Sequence, residues 1–359
     1  MVFKLEAQNY SSNNYYNIGY QQSFGAIIKH SSNFIPKVNG ITSFYEGTYT
    51  SRFLKPKAWK VHHHFPELKI SALYARYANR QVFGDSYNAL IGLNYIKAHN
   101  KWKRNFSYQF GINYSSKPYN KVTNPTNNII GSKLNLTLKL AYGLEYFINQ
   151  NLSVGLNAVL MHHSNGSAQT PNLGINVAAV GVELKWYQQR KPFSINDLTD
   201  SQLKKPHQFG VAVAYARQER VKPFNGPKYA VYGLQLFGLK RLSNLWQFNY
   251  GLNFDYRTTL AQAYKNYDSY GRNLFFKVMR WQPFIGAELL YGNFGLSASV
   301  GFYPVSNNAI STRIPTTIGA NYYFKNLDKV PDNNVRLSLV LKTHFSVAEY
   351  IAFMVGYVF

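Results

Sequence analysis

The chain has 359 residues, 17% aromatic and only 15% charged, with no cysteine and a formal net charge of +24 from 39 Lys plus Arg against 15 Asp plus Glu. Without cysteine there is no disulfide framework and no thiolate metal site, and no window approaches the ~20 consecutive apolar residues of a spanning helix. So many aromatics beside so little charge disfavour a soluble α/β enzyme and suit strands girdled by aromatics at two membrane interfaces. A membrane chain of this kind must be a closed barrel, the one sheet that satisfies every backbone group in lipid.

The positive residues are scattered through strands and turns rather than gathered in one stripe. An anionic membrane surface, such as a phosphorylated glycolipid, is therefore the expected partner, and nucleic acid is not. The plainer alternative is that much of the charge lines a wet lumen. No secretory leader follows Met1, so the sequence reads as a mature or re-engineered form of an exported chain.

Taken in chain order, segments of alternating polarity recur almost without a break. They run Ile70 to Asn79, Tyr87 to Ala98, Phe106 to Ser115, Leu134 to Phe147 and Leu152 to Trp186, the last taken as two strands. After these come Phe209 to Tyr215, Tyr229 to Leu239, Phe248 to Tyr256, Phe284 to Tyr291, Phe294 to Phe302, Thr316 to Phe324 and Val335 to Phe345. Asn149 to Asn151, Leu242 to Asn244 and Gly292-Asn293 read as turns. Tyr20 to His30 and Ile41 to Thr50 are the weakest strands, so the expected all-β, antiparallel transmembrane barrel has about sixteen strands, or fourteen without them. The chain closes on Ile351, Phe353, Val355, Tyr357 and Phe359, an alternating run that resembles the terminal assembly strand of outer-membrane barrels. A periplasmic C-terminus then puts the Asn165 to Leu173 loop outside the cell. Residues 191 to 207 are the expected junction between a first half, 1–190, and a second, 191–359. A single terminal assembly strand favours one continuous barrel over two small ones.

The strands from Leu152 to Trp186 carry the chemistry. Alternation puts Leu152, Val154, Leu156, Ala158 and Leu160 on one face together with His162 and Ser164, while Met161 and His163 point inward. On the next strand Asn176 shares a face with Ala178, Val180, Val182, Leu184 and Trp186. A histidine, a hydroxyl and an amide thus meet on the face turned to hydrocarbon, where polar groups are costly. A neutral His162 can take the proton of Ser164 as the hydroxyl attacks an ester carbonyl. Asn176 can hold the other ring nitrogen, and Asn165 or Gly166 can offer an amide or backbone N–H to an oxyanion. The alternative is a set of interfacial polar residues at headgroup level.

A weak repeat links Gly143-Leu144-Glu145-Tyr146, Leu152-Ser153-Val154-Gly155 and His162-His163-Ser164-Asn165 to Gly286-Ala287-Glu288-Leu289, Leu296-Ser297-Ala298-Ser299 and Pro304-Val305-Ser306-Asn307. Pro304 replaces the histidine, so Ser306 has no base and is expected to be dispensable. His62-His63-His64 does not make a metal site if the three lie on a strand, because consecutive side chains face opposite ways. No metal and no other cofactor is expected.

The run Met161-His162-His163-Ser164-Asn165-Gly166, followed by Pro171-Asn172-Leu173-Gly174-Ile175-Asn176, resembles the lipid A 3-O-deacylase (PagL) family, whose signature is His-x-Ser-Asn and then Pro-Asn-x-Gly-x-Glu. Asn124 to Ser132 resembles longer relatives described as acyloxyacyl hydrolases. The likeness is close over Lys117 to Trp186 and weaker back to Tyr20. It implies an outer-membrane serine esterase that removes an acyl chain from lipopolysaccharide, with Ser164 as nucleophile, His162 as base, Asn165 in the oxyanion region and Asn176 at the acid's position. Two departures stand out. Asn176 replaces the family's Glu, and the chain beyond about Arg190 has no counterpart in compact members. A doubled chain of this kind can instead be a catalytically silent structural or partner subunit of an outer-membrane assembly, or a channel if sixteen strands enclose a wide lumen.

Overall fold

The computed structural model describes residues 15–52, 60, 63–188, 207–219, 224, 226–266, 273–304, 314–327, 331–344 and 347–359. Sixteen antiparallel strands lie within them, and the hydrogen-bonded order closes twice. The first barrel comprises β1 (Tyr15–Ile28), β2 (Thr42–Arg52), β3 (Glu67–Arg76), β4 (Asp85–His99), β5 (Trp102–Ser115), β6 (Leu134–Phe147), β7 (Leu152–Ser164) and β8 (Ile175–Tyr187). The second comprises β9 (His207–Glu219), β10 (Lys228–Arg241), β11 (Trp246–Arg257), β12 (Arg280–Tyr291), β13 (Phe294–Gly301), β14 (Pro315–Tyr323), β15 (Asn334–His344) and β16 (Val347–Val358). β8 pairs back onto β1 from Asn17↔Tyr187 to Ile28↔Asn176, and β16 pairs onto β9. The expected single barrel is therefore two. One terminal assembly strand was a poor count of barrels, because closure depends on which edges pair and not on how the last strand reads.

The first barrel follows the alternation residue by residue. On β7, Ser153, Gly155, Asn157, Val159, Met161 and His163 are buried, while Leu152, Leu156, Ala158 and Leu160 are exposed on the outer wall. Eight strands leave an interior that side chains can fill, and this one is filled in two layers. Toward the β6–β7 turn the inward residues are charged. Glu145 accepts from Ser153 Oγ at 2.7 Å, from Lys185 Nζ at 3.2 Å and from the Tyr187 hydroxyl. Lys185 also meets Glu183 at 2.9 Å, Lys103 lies 3.7 Å from Glu67, and Lys139 pairs with Glu46. Toward the opposite rim the interior turns apolar, with Phe44, Leu73, Ala75, Phe83, Leu90, Val159, Met161 and Val177 packed with Ile129 and Ile130 of the β5–β6 loop. Interlocked ion pairs below an apolar plug remove the wide lumen on which the channel reading depended.

The second barrel has its own inner network. Asp255 pairs with Lys342, Glu349 lies 3.2 Å from Arg280 and 3.1 Å from His344, and Glu288 accepts from Gln247 at 2.7 Å and from the Tyr323 hydroxyl at 2.9 Å. The repeat is a likeness between hairpins. It maps β6–β7, the sixth and seventh strands of one barrel, onto β12–β13, the fourth and fifth of the other. Ser306 and the expected junction before His207 lie outside the described residues.

The expected strand Ile70 to Asn79 stops at Arg76, because Asn79 caps a single helical turn, α1 (Arg80–Phe83), accepting from Val82 N at 3.3 Å. Two further helices were not anticipated either: α2 (Thr258–Asn266) and α3 (Leu274–Val278), both between β11 and β12. Among the described residues no helix is long and apolar enough to cross a membrane. His63 and His64 lie in a turn and not on a strand, with His64 at φ +57°; His62 is outside the described residues.

The charged layer yields a first prediction. Removing one partner of a buried ion pair costs about 3–5 kcal/mol, since the other charge stays buried without compensation. Glu145→Ala takes one carboxylate from both Lys103 and Lys185 and leaves Lys103 to Glu67 and Lys185 to Glu183, so a part of that penalty is expected. The first barrel should then unfold at a clearly lower urea concentration in detergent, while Glu145→Gln should recover part of the loss through its retained acceptor. An unchanged midpoint for Glu145→Ala would show that the network contributes nothing.

Candidate active site on the outer wall of the first barrel

His162 and Asn176 are direct cross-strand partners on β7 and β8. Such pairs bring side chains on one face into contact. Here the imidazole Nδ1 lies 2.6 Å from Asn176 Oδ1, and the imidazole Nε2 lies 3.0 Å from Ser164 Oγ. All three side chains are half-buried on the outer face, next to the exposed Leu160 on β7 and to Ala178 on β8, with the exposed Val180 beyond. Met161 and His163 are buried inside the barrel, as the alternation requires.

The polarity of the cluster follows from its bonds. An amide oxygen can only accept, so His162 Nδ1 carries the proton and donates to Asn176. Nε2 then has its lone pair free to accept from the Ser164 hydroxyl. That is the tautomer a general base needs. The inward neighbour His163 is fixed separately. Thr137 Oγ1 donates to Asn88 at 3.0 Å and so accepts from His163 Nδ1 at 2.8 Å, while the Tyr77 ring packs edge-on against the imidazole. Burial holds the Tyr77 phenol above its ordinary pKa, so it stays neutral beneath the site.

The loop after Ser164 is tied down at both ends. Asn165 N–H donates to Asn172 Oδ1 at 2.9 Å and Asn165 Nδ2 donates to Ser132 Oγ at 2.8 Å. Gly166 follows with φ +60°, a left-handed turn immediately past the hydroxyl.

Two residues of the site were missed by sequence reasoning. Gly174 stands at φ +81°, and a Cβ there would lie 2.7 Å from His162 Cε1 and 2.9 Å from the His163 carbonyl oxygen. Its N–H donates to Ile129 O at 3.1 Å, so the β5–β6 loop buttresses the glycine that makes room for the imidazole. Asn127 holds that loop in turn, donating to Lys117 O at 2.8 Å. The second missed residue is His30, two positions beyond the end of β1. Its Nδ1 lies 2.9 Å from Asn176 Nδ2 and its Nε2 lies 2.9 Å from Leu173 O. Among the described residues no group of three or more His, Cys, Asp or Glu side chains is arranged to hold a metal.

Comparison with known proteins agrees with the motif. Residues 43–185 match the model of the family described as Lipid A 3-O-deacylase (PagL), and residues 207–359 match the one described as Acyloxyacyl hydrolase, C-terminal domain. The chain belongs to the PagL family. One matched part falls in each barrel, the first over β2 to β8 and the second over β9 to β16, so this member is a two-part form, and it is placed in the outer membrane of a Gram-negative bacterium. No curated protein matches the chain significantly. Among solved structures, the outer membrane enzyme PagL is 16% identical, with 46% of this chain and 97% of that one covered at a TM-score of 0.31. Neisserial surface protein A (NspA) is 10% identical, with 48% and 98% covered at the same TM-score of 0.31.

Gly174→Ala tests the site's packing directly. A left-handed backbone costs a non-glycine residue about 1–2 kcal/mol, and the new methyl must displace the ring. In a crystal structure of this variant the separation of His162 Nε2 from Ser164 Oγ should exceed hydrogen-bonding distance. An unmoved imidazole would contradict the packing described.

Proposed function

We propose that the first barrel is a serine esterase that removes an acyl chain from lipid A or a closely related anionic glycolipid. The observation that carries this reading is the bonded series Ser164–His162–Asn176 on a wall otherwise turned to hydrocarbon. An outward site meets an acyl chain without drawing it from the bilayer, and the extracellular rim is where lipopolysaccharide headgroups lie. The net positive charge of the chain suits a phosphorylated headgroup.

In this mechanism Ser164 Oγ attacks the ester carbonyl carbon as its proton passes to His162 Nε2. The tetrahedral oxyanion takes hydrogen bonds from the Gly166 region. The C–O bond to the sugar breaks as Nε2–H protonates the departing alkoxide oxygen, leaving an acyl-serine. Water then attacks the acyl carbon, giving its proton to His162. Collapse frees the fatty acid and returns the proton to Ser164 Oγ. Asn176 orients the ring throughout, without the charge a carboxylate would set against the imidazolium. The second barrel's copy of the motif lacks this base, since Pro304 stands where the repeat would need histidine. In this reading it is a scaffold or a surface for a protein partner.

Mass spectrometry of lipid A from cells with and without the protein is the direct assay: wild type should produce species lighter by one acyl chain. Ser164→Ala should lower turnover by roughly 10³-fold or more. Asn176→Ala should lower it on the order of 10²–10⁴-fold, because the imidazole loses tautomer and orientation together. Asn176→Glu should raise it by adding charge opposite the imidazolium. Unchanged lipid A in the presence of folded wild type would favour the silent, structural reading.

A further inference from the structure

We propose that His30 is a positioning residue that sets the direction of the Asn176 amide and, through it, the tautomer of the catalytic base. The proposal rests on the esterase reading above and explains how an amide can serve at a position that resembles one held by a carboxylate in related chains.

A carboxylate presents the same acceptor at either end, but an amide does not. If Asn176 turned its NH₂ toward His162, Nδ1 would have to accept and the ring proton would move to Nε2. The ring would then offer Ser164 a donor where it needs a lone pair. Amide direction and base competence are therefore one variable, and some group must fix it.

His30 does so starting from a group whose polarity cannot change. The Leu173 carbonyl oxygen only accepts, so His30 Nε2, 2.9 Å away, is the protonated nitrogen. His30 Nδ1 is then a lone pair and accepts from Asn176 Nδ2 at 2.9 Å. That leaves Asn176 Oδ1 facing His162 Nδ1 at 2.6 Å and His162 Nε2 facing Ser164 Oγ at 3.0 Å. The opposite tautomer of His30 would turn Nδ1–H toward Ile28 O at the longer 3.4 Å and set a lone pair against the Leu173 carbonyl, so it is disfavoured. Edge-on contact with Phe34 holds the ring at this angle. The relay thus begins at a backbone carbonyl of the β7–β8 loop and runs through His30 after β1 and Asn176 on β8 to His162 and Ser164 on β7.

Barrel closure makes the relay possible. Ile28 is the register partner of Asn176, and His30, two residues on, shares its face. The two relay members are separated by 146 residues and meet only because β8 pairs with β1.

The test is a double-mutant cycle with a spectroscopic readout, on full-length protein folded in detergent. His30→Leu should lower kcat about 10–100-fold with KM little changed. His30→Asn should recover most of that loss, because its Oδ1 can stand in for Nδ1 as acceptor. In an Asn176→Glu background the same His30→Leu change should cost less than about 3-fold, since a carboxylate needs no orienting partner. Nitrogen-15 NMR of the His162 ring should find Nδ1 protonated in wild type and a mixture of tautomers in His30→Leu. Equal losses in both backgrounds, or an unaltered His162 tautomer in His30→Leu, would overturn the proposal. The NMR result does not require turnover: an inactive wild type with a tautomer that still depends on His30 would defeat the esterase reading and leave the relay standing.

Discussion

Everything in the first barrel depends on β8 finding β1. In a bilayer an unpaired strand edge leaves a row of N–H and C=O groups without partners, at several kcal/mol each. Closure at eight strands removes that cost, and it also fixes the barrel's girth so that the interior holds side chains and little else. The inward positions accordingly form a salt-linked layer around Glu145 and Glu183 and an apolar layer around Met161 and Ile129. The outward positions are left to hydrocarbon. A polar cluster on that outer wall survives because its members satisfy one another: Ser164 to His162, His162 to Asn176, Asn176 to His30 and His30 to a backbone carbonyl.

Much of this was legible in the sequence because a strand's period is two. Leu152 through Ser164 and Asn176 through Trp186 assign inside and outside with no knowledge of the partner strands, and the His162–Asn176 pairing follows once the loop between β7 and β8 is taken as a hairpin connection. The weak candidates Tyr20 to His30 and Ile41 to Thr50 are full strands, β1 and β2. Their polar inward residues, such as Gln21, Ser23, Glu46 and Thr48, blur the apolar signal of a lipid-facing strand. Glu46 shows the reason, since it is buried against Lys139.

What sequence could not supply was long-range pairing. One barrel of sixteen strands would have set β8 beside β9, and His30 would have had no route to Asn176. The misjudged closure and the missed relay member are thus a single error. Gly174 was hidden differently: its glycine lies within the recognised motif, but only the fold puts a would-be Cβ against His162 Cε1. Helices α2 and α3 sit in a connection between strands, where barrel periodicity makes no statement.

In the proposed mechanism Ser164 is a nucleophile activated by His162 on the lipid-facing wall. Active-site labelling tests it most directly: detergent-folded protein is treated with a lipophilic fluorophosphonate, digested and mapped by mass spectrometry. One adduct, on Ser164, should form rapidly in wild type and be lost in His162→Ala. Labelling spread over several serines, or an adduct on Ser164 that forms equally fast without His162, would contradict it.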